Sequence, residues 1–135
     1  MKNVVTPETA RKLKQAGFKQ PEPEDGQTWY RSDGVPFFVS SVDEKRKVVY
    51  LCPLGSRSPA NCINSFSGMG SLYFAPTATD ILRELALKKP DSAFRNYLEF
   101  DALSSLYCAT YEMEETCNEN SAEAAALAWL EKYAK

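Results

Sequence analysis

Apolar residues along this chain recur with two different periods, and the changes between them mark out its elements. From Thr6 to Gly17 the spacing is helical: Ala10 and Leu13, with Phe18 just beyond, make the apolar side, while Arg11, Lys12, Lys14 and Lys19 make the wet one. Thr6-Pro7-Glu8 opens this helix with a hydroxyl at the N-cap, a proline where its missing N–H costs nothing, and an acid at the positive dipole end. Gly17 stops it. After a loop, Pro21-Glu22-Pro23-Glu24-Asp25-Gly26, the period drops to that of strands over 27–31, 36–42 and 47–52. The breaks Ser32-Asp33-Gly34 and Asp43-Glu44-Lys45-Arg46 carry turn chemistry, which predicts an antiparallel meander. Val48-Val49-Tyr50-Leu51 is apolar on both faces and is expected inside the sheet.

Residues 53–71 are small and turn-forming, an unusually long loop for a compact fold. A short strand over 72–75 leads to a second helix, capped by Thr77 with Asp80 three residues on, striped by Ala78, Ile81, Leu82 and Leu85, and ended by Lys88-Lys89-Pro90. Two more strands are expected near 95–100 and 106–113, the latter alternating Tyr107, Ala109, Tyr111 and Met113. The acidic segment 114–119 reads as a loop. Asn120 and Glu123 then form a capping box for a third helix reaching about Tyr133. The pattern predicts an α+β fold in the order α-β-β-β-β-α-β-β-α, with helices on one face of a largely antiparallel sheet.

Composition adds bounds rather than chemistry. A chain of 135 residues, 44% hydrophobic and 25% charged, suits a single domain over 1–135. No apolar run is long enough to span a membrane, and the N-terminal residues lack the apolar run of a secretory signal, so the expectation is a cytoplasmic protein with no membrane contact. Cys52, Cys62, Cys108 and Cys117 are separated by nine residues in the first pair and eight in the second, which misses the short zinc knuckle. Reduced thiols are expected, with no metal, no cofactor and no obligatory disulfide. The net charge of −2 conceals polarity: residues 1–90 hold 13 Lys/Arg against 9 Asp/Glu, and residues 91–135 hold 3 against 9.

The chain contains no histidine. That removes the His-based nucleophile systems and His-bearing metal sites, and no phosphate-binding loop, nucleophile elbow or calcium loop is present. The acids Glu112, Glu114, Glu115, Glu119 and Glu123 lack the ligand order of a calcium loop and read as a solvated segment. Gly55, Gly68 and Gly70 with Arg57 or Arg31 offer an anion cradle only in principle, and Cys62 has no imidazole to activate it.

Three segments resemble a group of small uncharacterised proteins found in phages and prophages of Bacteroides-type gut bacteria. These are the helix ending Gly17-Phe18-Lys19-Gln20-Pro21, the run Ala75-Pro76-Thr77 leading to Leu82-Arg83-Glu84, and the closing Glu123-Ala124-Ala125-Ala126-Leu127. The usual pattern is shorter in the middle, so 53–71 is a departure. The resemblance implies an accessory protein of a mobile element, and no activity.

Two surfaces remain as candidates. The last helix is apolar around most of its circumference, which calls for burial on several sides, in the core or against another chain. Ala126, Trp129, Leu130 and Tyr133 are its expected face for a protein partner, a second copy included. The alternative is a nucleic-acid-binding sheet face, with Trp29 and Phe38 stacking bases and Arg31, Lys45, Arg46 and Lys47 neutralising phosphates. The acidic pI of about 5.2 weighs against the alternative. The sequence therefore reads as a non-enzymatic association protein.

Overall fold

Side-chain caps start each helix. In the computed structural model, which describes residues 4–53, 62–88, 97–101, 106–111 and 114–133, α1 spans Pro7–Gln15. The Thr6 hydroxyl accepts from the Thr9 amide at 3.3 Å. At the other end Gly17 takes φ +94°, and the Phe18 amide reaches back to the Leu13 carbonyl at 2.9 Å, satisfying an acceptor the helix leaves open. α2, Ala78–Lys88, begins on a reciprocal pair: the Thr77 amide donates to Asp80 at 2.9 Å and the Asp80 amide to the Thr77 hydroxyl at 3.3 Å. α3, Ser121–Tyr133, is capped by Asn120, whose Oδ1 accepts from the amides of Ala122 and Glu123. Only half of the expected capping box forms there. The Asn120 amide donates to Asn118 Oδ1 at 2.9 Å, and the Glu123 carboxylate turns to α1 instead.

The chain divides into two compact units, one formed by Gln20–Ala75 and the other by the segments before and after it. The first is built on strands: β1 (Thr28–Tyr30), β2 (Pro36–Asp43), β3 (Val48–Pro53), β4 (Cys62–Ser65) and β5 (Tyr73–Ala75) form one antiparallel sheet in the order β4-β3-β2-β1-β5. Phe37, Trp29 and Phe74 stand in one cross-strand row, and Val39 opposes Leu51. All five are buried. The register shifts between Val39 and Ser41, and Ser40 at that bulge donates from its hydroxyl to the Tyr50 carbonyl at 3.0 Å. The turns sit where predicted: Gly34 has φ +88°, and Asp43 Oδ1 accepts from the amides of Lys45 and Arg46, each at 3.1 Å.

The second unit sets three helices with a meander of β6 (Tyr97–Asp101), β7 (Leu106–Tyr111) and β8 (Glu114–Asn118), in the order β6-β7-β8. α3 packs against α1, α2, β7 and β8. Its first turn explains how: Ala122, Glu123, Ala124, Ala125 and Ala126 are all buried in succession. Small side chains on every face let neighbours approach from all sides.

The α+β class, three helices and antiparallel strands agree with the pattern. Two strands were hidden in it. β4 and a 3-10 turn over Ser67–Ser71 lie inside the long stretch read as loop, and β8 lies in the acidic segment. Both are short, and neither alternates apolar with polar residues. The strands also form two sheets rather than one.

Candidate functional site

The residues of the basic and aromatic candidate face are dispersed. Trp29 is 1% exposed, its ring centroid lies 5.3 Å from that of Phe74, and its Nε1 donates to Gln27 Oε1 at 3.0 Å. It is a core residue of the sheet, not an open platform. Phe38, on the face opposite Phe37 and Val39, is half-buried, while Arg31, Lys45, Arg46 and Lys47 are exposed. Arg31 grips Asp33 with two bonds of 2.9 and 2.6 Å and lies over the Phe37 ring at 5.6 Å. That guanidinium, helped by the Val35 amide, lowers the Asp33 carboxyl from 3.8 to about 2. The three other cations occupy the β2–β3 turn, where Arg46 faces Asp43 at 3.8 Å and Lys47, at φ +55°, holds its Nζ 5.2 Å over the Phe66 ring. Phe37 opposes Trp29, and Asp43 is six residues further along β2, so about 20 Å of strand separates Trp29 from that turn.

On α3, Ala126 and Trp129 are enclosed, at 0% and 1% exposure. Trp129 meets Phe18 edge-on at 5.3 Å and Tyr133 at 5.2 Å. Leu130 and Tyr133 are half-buried. The expected partner surface is thus split, its first two members belonging to the core. Leu127, which the sequence reading placed only within the apolar run, is exposed. It lies three residues before Leu130, so the two share an outward flank with Glu131.

A polar joint was missed altogether. Glu123 is 9% exposed; its Oε1 accepts from the Thr6 amide at 2.5 Å and its Oε2 from the Thr9 hydroxyl at 2.8 Å. Asn120 Nδ2 donates to the Val4 carbonyl at 3.0 Å. The two residues tie the start of α3 to the start of α1, and the Asx and capping residues at both ends were the available signal.

One cysteine departs from expectation. Cys52 keeps its thiol, but Cys108, expected as a reduced filler, is disulfide-bonded and buried at 6% exposure. Gly55, Arg57 and Glu112 lie outside the described residues. Among the described residues no group of three His, Cys, Asp or Glu side chains could hold a metal ion, and no helix is long and apolar enough to cross a membrane. Gly68 and Gly70 lie in the 3-10 turn, where the Gly68 amide donates to the Ser65 hydroxyl at 3.0 Å. Comparison with protein-family models, with curated proteins and with solved structures finds no match.

Proposed function

We propose that this chain is a non-enzymatic accessory protein, of the kind the phage and prophage resemblance implies, that works in the cytoplasm by binding a protein surface, a second copy of itself in the first instance. One observation carries the reading: among the described residues, Leu127 alone of the large hydrophobic side chains is exposed, at 39%. Covering the exposed part of this side chain, 39% of it, is favoured by about 0.6–1.2 kcal/mol. With half-buried Leu130 three residues on the patch is small, and exposed Glu131 borders it. An interface of this size gives weak, reversible association rather than an obligate dimer. The uneven charge of the chain adds a complementary contact, since the basic α1 residues Arg11 and Lys12 and the acidic Glu119 and Glu131 are all exposed.

The test is mass-resolved sizing over a concentration series. The wild-type mass should rise with concentration, and Leu127→Asp should hold the chain as a monomer that still unfolds cooperatively. A wild type that stays monomeric at its highest soluble concentration refutes self-association. Nucleic-acid contact is favoured by one feature, three consecutive exposed cations at the β2–β3 turn, and with Trp29 interior it reduces to phosphate contact. Salt-sensitive binding of mixed single strands, lost when Lys45, Arg46 and Lys47 are neutralised together, would support it.

A further inference from the structure

We infer that Cys108 is bonded to Cys117, and that this disulfide is a reductant-sensitive clasp holding β8, and with it the start of α3, onto β7. Cys108 is disulfide-bonded and Cys52 is not, which leaves Cys62 and Cys117 as partners. The register decides between them: Cys117 on β8 stands directly opposite Cys108 on β7. Directly opposed residues of an antiparallel pair have Cα atoms about 4.5–5.5 Å apart, within the span a disulfide bridges.

The position gives the bond its consequence. Among the described residues β8 is an edge strand with β7 as its one strand neighbour, and Glu114-Glu115-Thr116-Cys117-Asn118 has little intrinsic strand preference in its acids and asparagine. Its last residue, Asn118, holds the Asn120 amide, and Asn120 in turn caps α3 and binds the Val4 carbonyl. Releasing β8 therefore loosens the cap of α3 and its tie to the N-terminal segment. Cys108 is buried, so a reductant reaches the bond when the edge strand lifts. A dithiol reductant opens it by thiolate attack on one sulfur, forming a mixed disulfide. The reductant's second thiol then closes its own disulfide and releases both cysteines as thiols, two electrons and two protons passing to the protein. Such bonds persist in oxidising surroundings and open where glutathione reduces them, so the state of β8 follows the redox poise around it. The clasp stands independently of the association reading.

Trypsin cannot report the linkage, because no Lys or Arg lies between Arg95 and Lys132, whereas a glutamate-specific protease cuts at Glu112, Glu114 and Glu115, between the two cysteines. Digestion of protein purified without reductant should yield Cys108 and Cys117 peptides that remain joined, and denatured protein should titrate two thiols of four. Phosphine reduction should lower the melting temperature by on the order of 10 °C. It should also speed amide exchange over 114–118 and the first turn of α3 at least tenfold, with β1–β5 unaffected. The Cys108→Ala/Cys117→Ala protein should behave as reduced wild type and ignore reductant, and Cys52→Ser should match the wild type. Four titratable thiols or a Cys108–Cys62 peptide would overturn the pairing. Melting and exchange unchanged by reduction of the linked wild type would overturn the clasp.

Discussion

Replacing Glu123 by alanine should destabilise the fold far more than its place in a helix first turn suggests. The carboxylate accepts one bond from the Thr6 amide and one from the Thr9 hydroxyl, 117 and 114 residues away in sequence. Bonds to a charged group contribute about 1.5–3 kcal/mol each. The sum needs a discount, because the Thr6 amide is only partly buried and the Thr9 hydroxyl already lies 3.1 Å from the Thr6 hydroxyl. The expected loss is about 2–4 kcal/mol, a large fraction of the ~5–15 kcal/mol of a typical domain. Glu123→Gln keeps one acceptor oxygen and should lose about half as much. Urea denaturation followed by circular dichroism measures these values. A double-mutant cycle with Thr9→Val, which removes the hydroxyl but keeps the shape, should give a coupling of about 1–2 kcal/mol. Additive effects, with a coupling below about 0.5 kcal/mol, would refute the joint between α1 and α3.

Truncating Trp129 to alanine should cost about 3–5 kcal/mol, since the side chain is enclosed and packs on Phe18 and Tyr133. Denaturant titration by circular dichroism checks this, with Trp29 left as the single tryptophan emitter, and sizing should show no change in assembly state; a stability equal to wild type would contradict the enclosure. For Asp33, the folded carboxyl titrates at about 2 rather than 3.8 because Arg31 grips it. A depressed carboxylate stabilises the fold above its unfolded value, so its contribution is present above pH 3.8 and is lost as pH falls toward 2. Asp33→Asn should flatten that interval of the acid-unfolding curve and remove at neutral pH the same contribution, a small one because the pair is exposed; an unaltered curve between those values would count against it.

Much of the fold was legible because it is written in local chemistry. Thr6, Pro7 and Gly17 bound α1, Thr77 and Asp80 open α2, and Asp43 and Gly34 turn the meander, each through bonds within a few residues. β4 and β8 escaped because both are short and without alternation and β8 carries little strand preference, and neighbouring strands hold them in place. Missing β8 also hid the disulfide. Cys108 and Cys117 lie symmetrically about residues 112–113, a relation that has meaning only once both flanks are strands.

The candidate site was less legible for a related reason. Periodicity by itself determined that α3 is apolar nearly all round and must be enclosed, and composition determined that no histidine chemistry is available. Which flank stays open was decided by the tertiary structure. Five consecutive buried residues, Ala122 to Ala126, erase any helical face at the start of α3, and beyond them packing encloses Trp129 while leaving Leu127 outside. Glu123 illustrates the same limit: its spacing from Asn120 fits a local cap, yet the Thr6 amide and the Thr9 hydroxyl won its carboxylate. Local sequence specifies hydrogen bonds across three or four residues, whereas a partner more than a hundred residues away exists only after the chain has folded on itself.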